Sequence, residues 1–276
     1  MSGFGRCSLT VEIPIISKLG IQCCPIPTAI LSNHTMFESF TFHDCTDMME
    51  AYAAEWKKIG LEFEGILTGF LGSVQQIEIV EHIIADFRSD RTKVIIDPVM
   101  GDGGKTYRTY TPEMCDGVSH LVRYADVLTP NLTEACILTK TPYREKFTEK
   151  ELCELARQLC ALGPEKVVVT GVSRGEFLEN YCYEASGKTT VIRAKRVAPQ
   201  RSGTGDVFAA IVASGEVKNI QFEKSVRTAA TFIRRCLKRS AELEIPPSDG
   251  VCFEEVINQL RFPLEKEMVE TNGNII

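Results

Sequence analysis

The sequence lacks the features that mark several other classes of protein. No run approaches the roughly 18 apolar residues that a membrane span requires. The N-terminus has no basic stretch followed by an apolar one, so we expect no secretory signal. Basic residues do not outnumber acidic ones, and the net charge of −6 gives no general attraction to nucleic acid. We therefore expect neither a membrane protein nor a nucleic-acid-binding one.

Zinc-binding and disulfide patterns are also missing, although the chain has eleven cysteines. None forms a CxxC pair, and no group of cysteine and histidine has the spacing of zinc ligands. Several cysteines lie within apolar runs, as Cys136 does. This distribution is typical of buried, reduced thiols that pack as small apolar side chains, and it predicts a cytoplasmic protein.

What the sequence does have is an alternation of strand-like and helix-like segments. With 44% hydrophobic and 25% charged residues, the chain is expected to fold, and we predict one domain over residues 1–276. Apolar periodicity predicts helices over residues 6–19, 46–59, 73–87, 112–123, 148–162, 205–214, 222–239 and 254–260. Short apolar runs predict strands over residues 65–68, 93–96, 126–128 and 166–169, and a hairpin of 177–183 with 189–196.

Such alternation predicts a three-layer α/β/α sandwich with a mostly parallel central sheet. One feature departs from that pattern. No strand-like run precedes the first predicted helix, so the usual first strand is apparently absent. Residues 22–31 are predicted to be extended, but no small sheet is expected there.

Polar residues follow several of the predicted strands. Asp97 ends one strand, the segment from Thr129 to Glu134 follows the next, and Thr170 follows a third. In open α/β sheets, ligands bind outside the carboxyl ends of the strands. Because these residues are carboxylates and hydroxyls, they suit a site for phosphate and metal.

The segment Gly203-Thr204-Gly205-Asp206 precedes an apolar helix. Two glycines allow a tight turn, and the helix N-terminus adds a partial positive charge of roughly half a unit. Together they predict an anion site, beside which Asp206 could accept a proton from an attacking hydroxyl. The alternative is that Asp206 is a plain helix N-cap.

A second acidic segment contains Asp97 and Asp102, five residues apart. A carboxylate that ends a strand is a common indirect ligand of Mg²⁺, because Mg²⁺ keeps several of its waters. The alternative is an acidic turn in solvent. Residues 99–106 imitate a phosphate-binding P-loop, but Val99 replaces the first glycine and no apolar helix follows.

Several segments together resemble the pyridoxal kinase group of the ribokinase-like superfamily, over roughly residues 2–262. The similar segments are residues 2–6, 32–35, 68–69, 97–102, 129–134, 168–170 and 203–208. The resemblance implies an ATP-dependent kinase that phosphorylates the 5′-hydroxymethyl group of pyridoxal, pyridoxine or pyridoxamine. It also implies a homodimer.

The resemblance further implies a role for each matching position. Asp206 would be the base, Gly203, Thr204 and Gly205 would hold the γ-phosphate, and Thr204 and Gly205 would also contact ATP. Asp97 and Glu134 would organise Mg²⁺, with Thr129 near a monovalent cation such as K⁺. Asn131 and Thr170 would contact ATP, Asp102 would lie close to the reacting hydroxyl, and Thr35 would line the pyridine pocket. Residues 103–110 would form a mobile lid.

Two departures from the family pattern bear on the substrate. The family begins with a strand that carries a pyridine-contacting residue, and that strand is not seen here. Met36 stands where the family usually has glycine, so we expect a different ring pocket. The alternatives are a hydroxymethylpyrimidine kinase or a non-catalytic relative that binds nucleotide or vitamin. A sugar kinase is disfavoured because no small lid sheet is expected.

Overall fold

Local sequence signals define most of the helix ends in this computed structural model, which describes residues 1–263. The Ser73 hydroxyl accepts the backbone N–H of Gln76 at the start of one helix, and Thr148 and Glu151 form the predicted capping box of another. The helices are α1 Leu9–Lys18, α2 Thr46–Lys58, α3 Val74–Phe87, α4 Pro112–Leu121, α5 Leu132–Leu138, α6 Glu149–Cys160, α7 Thr204–Val217 and α8 Phe222–Glu242. None of the helices between residues 1 and 263 combines the length and the apolar character that crossing a bilayer requires.

The strands of the described chain form one large sheet and two small ones. They are β1 Ala29–Leu31, β2 Phe42–Asp44, β3 Gly65–Thr68, β4 Lys93–Ile96, β5 Gly101–Asp102, β6 Lys105–Thr106, β7 Val127–Leu128, β8 Lys166–Arg174, β9 Phe177–Glu184 and β10 Thr189–Lys195. The large sheet has the order β10-β9-β8-β7-β4-β3. Its pairs from β3 to β8 are parallel, and β9 and β10 are added antiparallel.

Helices cover both faces of the large sheet because its central strands are apolar on both sides. In β4, Val94 and Ile96 pack into one core with α3, α4 and α6, whereas Ile95 packs into the other with α1, α7 and α8. Successive side chains of a strand point to opposite faces, so a continuous apolar run needs a cover on each face. The predicted three-layer sandwich is confirmed.

Four local predictions were wrong. Helix α5 was not predicted, and residues 254–260 form only the 3₁₀ turn Ile257–Gln259. Strand β8 continues past Thr170 to Arg174, with an irregularity between Val169 and Val172 that lets the strand pass Gly171. A small antiparallel sheet of β1 and β2 also exists, against expectation.

The segment ahead of α1 adds no strand to the large sheet within residues 1–263. Ser2 forms only an isolated parallel bridge with Leu31, and no other described strand lies ahead of α1. Strand β3 pairs with β4 alone, so its outer edge has no strand partner within residues 1–263. A cavity lies along that edge, between Gly65 and Leu67 on one side and Ser2 and Leu31 on the other. The predicted domain limits of 1–276 include residues 264–276, which lie outside the described residues.

A buried carboxylate ties the antiparallel strands of the large sheet together. Glu179 on β9 is fully buried, and it accepts hydrogen bonds from Arg193 Nε at 2.8 Å and Arg174 Nε at 3.3 Å. A buried charge is tolerated only when its partners are present. The two arginines therefore stabilise β8, β9 and β10 as a unit.

We expect Glu179→Ala to lower the free energy of unfolding by about 1.5–3 kcal/mol, because the partly exposed Arg174 and Arg193 lose their charged hydrogen-bond partner. Glu154→Ala, which removes a solvent-exposed partner of Arg157, should change it little. Urea denaturation of both variants measures the difference. Equal midpoints would show that the buried network does not hold this part of the sheet.

Candidate active site

One cavity of about 1490 Å³ lies at the carboxyl ends of the parallel strands and extends along the free edge of β3. Residues from β3, β4, β8 and the N-terminus of α7 line it, as does Thr129, which follows β7. Every site residue predicted from the sequence borders this cavity, namely Thr35, Asp97, Asp102, Thr129, Asn131, Glu134, Thr170, Gly203, Thr204, Gly205 and Asp206. The structure thus brings together residues that are up to 171 positions apart in the chain.

The turn before α7 requires a glycine. Gly203 is the N-cap, with φ of 83°, and a Cβ added to it would lie 1.9 Å from the carbonyl oxygen of Arg6. Thr204 Oγ1 donates to the carbonyl of Arg201 at 3.1 Å, while Gly205 is exposed at the helix start. The first N–H groups of a helix have no partner within the helix, and Gly203, Thr204 and Gly205 at this helix start all border the cavity.

Asp206 lies in the first turn of α7 and points into the cavity. The alternative of Asp206 as a plain N-cap is wrong, since Gly203 holds that position. Burial raises the pKa of the Asp206 carboxyl, and the backbone N–H groups of Ser8 and of Asp206 itself partly offset that effect. A carboxyl with a raised pKa beside an anion site is suited to accept a proton.

Asp97 and Glu134 are held at the ends of β4 and α5. Thr129 Oγ1 donates to Asp97 Oδ1 at 3.2 Å. Glu134 is 3% exposed, and its two oxygens accept the N–H of Met100 at 3.0 Å and the N–H of Asn131 at 2.9 Å. Glu134 therefore closes the capping box of α5 while it faces the cavity. The alternative of an acidic turn in solvent does not apply to the partly buried Asp97.

The carboxyl groups of the cavity disfavour one another's ionisation. Burial raises the pKa of Asp97 well above its usual range, and the charges of Glu134 and Asp206 raise it further. Burial also raises the pKa of Glu134 to about 7, although the N–H groups of Asn131 and Met100 oppose the shift. Such a cluster attracts cations.

No three His, Cys, Asp or Glu side chains within residues 1–263 are placed to hold a metal ion by themselves. The acidic groups of the cavity are therefore separate donors rather than a closed protein cage. A cation that keeps part of its water shell suits such donors.

A short hairpin of β5 and β6 overhangs the cavity in the segment predicted to be a lid. Asn131 Nδ2 donates to the Gly101 carbonyl at 2.7 Å, and the N–H of Gly104 donates to Thr133 Oγ1 at 2.9 Å. Asp102 stands exposed on the hairpin. Asn131 thus joins the cap of α5 to the hairpin.

On the opposite wall, a buried histidine places Thr35. His34 Nε2 lies 2.7 Å from the carbonyl oxygen of Ser248, and the imidazole packs on Phe37 with ring centroids 4.6 Å apart. Thr35, next in the chain, lines the cavity. Met36 is 76% exposed and also borders the cavity, so the expectation of a different ring pocket stays a prediction.

Sequence reasoning missed Glu12, an acidic residue that also borders the cavity. It lies on α1 between the buried Val11 and Ile15, and its side chain faces the cavity. Burial, and then the charge of Asp206, raise the pKa of Glu12 to about 8. A carboxylate inside an otherwise apolar helix was the signal that could have identified it.

The sequence matches the model of the phosphomethylpyrimidine kinase family over residues 11–248. The chain belongs to this family. This membership agrees with the observed fold. It also agrees with the resemblance to pyridoxal kinases that the sequence shows, since pyridoxal kinases are among the proteins similar to this chain.

Three relatives illustrate the likeness. A crystal structure of a candidate phosphomethylpyrimidine kinase from Bacteroides thetaiotaomicron VPI-5482, in a form with pyridoxal, is 37% identical with a TM-score of 0.92, covering 96% of this chain and 94% of that one. The pyridoxal kinase of Arabidopsis thaliana is 28% identical over 242 residues, 82% of this chain and 75% of the relative. The pyridoxine/pyridoxal/pyridoxamine kinase of Bordetella avium (strain 197N) is 28% identical over 264 residues, 89% of this chain and 86% of the relative.

We expect Gly203→Ala to lower the stability by about 1–3 kcal/mol or more, because φ is positive and the Arg6 carbonyl occupies the space of a methyl group. Gly205→Ala is the matched control, since a Cβ there meets nothing within 4 Å. Thermal unfolding of both variants measures the effect. Equal melting temperatures would contradict the close packing of this turn against Arg6.

Proposed function

We propose that this kinase transfers the γ-phosphoryl group of ATP to the 5′-hydroxymethyl group of a B6 vitamer, pyridoxal, pyridoxine or pyridoxamine. The observation that carries the proposal is the position of Asp206 beside the open N-terminus of α7, in a cavity that also holds Asp97 and Glu134. Relatives over most of the chain are pyridoxal kinases, and a relative 37% identical is found with pyridoxal.

In the proposed reaction, Asp206 accepts the proton of the substrate hydroxyl as its oxygen attacks the γ-phosphorus. Gly203, Thr204 and Gly205 present the N–H groups at the start of α7 to the transferring phosphoryl group. Phosphoryl transfer depends on positioning and on neutralising negative charge, and a helix N-terminus supplies both for an anion.

The acidic wall suits Mg²⁺, which prefers oxygen ligands and keeps several waters. Asp97 would hold the ion, because its Oδ2 has no hydrogen-bond donor among the described residues. Glu134, whose oxygens already accept two N–H groups, would act on the ion through water. Thr129 would lie near a monovalent cation such as K⁺. When bound, Mg²⁺ neutralises phosphate charge.

The remaining residues divide between the two substrates. Asn131 and Thr170 would contact ATP, while Thr35 and Asp102 would lie against the vitamin. The hairpin of β5 and β6, with the segment after it, would close over the reacting groups and exclude water. Two hydrogen bonds attach the hairpin to Asn131 and Thr133 at the start of α5, and the hairpin would move about these attachments.

Phosphorylation of a hydroxymethylpyrimidine is the second candidate function. It is favoured by the family model and by the description of the Bacteroides thetaiotaomicron protein, which is 38% identical over 96% of this chain in a second crystal form. The same base and anion site would serve that reaction, so only the ring-binding wall distinguishes the two substrates.

Assembly and location form part of the same proposal. We propose one kinase domain that forms a homodimer, because Ile30, Phe40 and Phe42 on or beside β1 and β2 each leave more than a third of their surface exposed. A cytoplasmic location is supported by the eleven cysteines, all of which are free thiols.

We expect Asp206→Ala to lower turnover of pyridoxal with ATP and Mg²⁺ by roughly a hundred- to ten-thousand-fold, because the general base is lost, while ATP affinity stays nearly unchanged. The control is Asp47→Ala, the same change in the exposed first turn of α2. Steady-state kinetics and nucleotide titration measure both quantities.

The same assay separates the candidate functions. Wild-type turnover in Asp206→Ala would refute the role of the base. Faster phosphorylation of hydroxymethylpyrimidine than of any B6 vitamer would favour the second candidate, and no phosphorylation of either ring would leave a non-catalytic binder.

We expect Mg²⁺ to raise the melting temperature of the protein, because the ion relieves repulsion among the cavity carboxylates. Asp97→Asn should weaken Mg²⁺ binding by at least about tenfold. Asp90→Asn, at an exposed turn, is the control. Thermal unfolding over a series of Mg²⁺ concentrations measures the affinity, and an unchanged affinity in Asp97→Asn would place the ion elsewhere.

A further inference from the structure

One face of α1 forms a wall of the cavity. Ser8, Glu12 and Ile16, spaced four residues apart, border the cavity, whereas Val11 and Ile15 on the other face are fully buried in the core with α7. Residues four apart lie above one another on a helix. Glu12 is therefore the charged group that α1 presents to the cavity.

The position of Glu12 is fixed relative to the proposed base. Its backbone N–H donates to the Ser8 carbonyl at 3.1 Å, and the N–H of Ser8 points to the Asp206 carboxylate. On the other side, a Cβ built on Gly69, directly after β3, would lie 3.7 Å from Glu12 Oε1. The Glu12 carboxyl group thus lies between the α7 site and the end of β3.

No described residue donates a hydrogen bond to the side chain of Glu12. The titratable groups that face it are Asp206, Asp97, the thiol of Cys23 and the amino group of Met1. The Met1 amino group already donates to a backbone carbonyl. The carboxyl oxygens are therefore available to a ligand in the cavity.

Glu12 does not stabilise the fold. Burial raises its pKa, so its ionised form costs free energy of folding once the pH rises above the range of an unfolded glutamate, and the cost is complete above a pH of about 8. A group that weakens the fold and has no partner in the fold is a candidate for a binding role.

We propose that Glu12 is a specificity-determining residue that binds the cationic aminomethyl group of the substrate, and so favours pyridoxamine over pyridoxal and pyridoxine. This inference rests on the proposed function. In the three vitamers the variable substituent is attached to the ring atom next to the one that carries the reacting hydroxymethyl group. With the hydroxyl at Asp206, the neighbouring substituent reaches toward the neighbouring carboxylate.

The chemistry of the three substituents predicts the order of preference. An ammonium group donates charge-assisted hydrogen bonds to a carboxylate, an alcohol donates a neutral one, and an aldehyde donates none. Because burial raises the pKa of Glu12 to about 8, this order of preference is expected above that pH, where Glu12 is a carboxylate. Below it, the protonated carboxyl group can donate a hydrogen bond to the aldehyde oxygen.

The test compares the kcat and KM of the wild type, Glu12→Gln and Glu50→Gln with the three vitamers, at a pH above 8 where Glu12 is ionised. Glu50→Gln removes the same charge from an exposed position on α2 that does not border the cavity. We expect Glu12→Gln to lower kcat/KM for pyridoxamine by about ten- to a hundredfold, mainly through KM. Turnover of pyridoxal and pyridoxine should change less than about threefold. Glu12→Asp, which keeps the charge, should restore part of the preference.

An equal loss with all three vitamers, or an unchanged preference, would overturn the inference while leaving the proposed function intact. If the wild type phosphorylates none of them, the proposed function fails. In that case, calorimetric titration with pyridoxamine and pyridoxine in the absence of ATP tests the role of Glu12. The role requires the wild type to bind pyridoxamine more tightly than pyridoxine, and Glu12→Gln to lose this difference. Thermal unfolding at pH 8 should show Glu12→Gln at least as stable as the wild type, and this result separates a binding role from misfolding.

Discussion

The placement of several carboxyl groups in one partly buried cavity is the constraint on which the rest of this site depends. Asp97, Glu134, Asp206 and Glu12 share one cavity, and each has a pKa raised first by burial. Placing four acidic side chains together in a partly buried cavity does not stabilise the folded state. The arrangement becomes favourable when cations and proton donors enter, as metal-bound nucleotide and a protonated substrate would.

We propose that backbone N–H groups at the start of α7 contribute positive potential to this site. The N-terminus of α7 reaches its position because Gly203 packs directly against the Arg6 carbonyl. Backbone groups also position Glu134, whose carboxylate oxygens accept hydrogen bonds from the N–H groups of Met100 and Asn131. Fixed dipoles of this kind need no rearrangement when charge develops during a reaction.

Local sequence signals predicted elements whose stability is decided by nearby residues. Strands β3 and β4 were predicted with their correct bounds, and the capping box at Thr148 was correct, since apolar runs and caps act within a few residues. Helix α5 was missed because its seven residues follow a proline and its capping box depends on Asn131 and Glu134, which were interpreted only as ligands. The small sheet of β1 and β2 was missed because its pairing joins segments separated by a loop.

The sequence by itself determined the three-layer fold and the identity of the strand-end residues, because periodicity and the rule that ligands bind at the carboxyl ends of parallel strands require no coordinates. Only the tertiary structure decided that Glu12 belongs to the same cavity as Asp206, that Gly203 and not Asp206 caps α7, and that no strand within residues 1–263 pairs with the outer edge of β3. These features depend on contacts between distant segments, and their distances and burial are not encoded in any local pattern. A carboxylate in an apolar helix shows its chemical environment only when the facing strand and helix are in place.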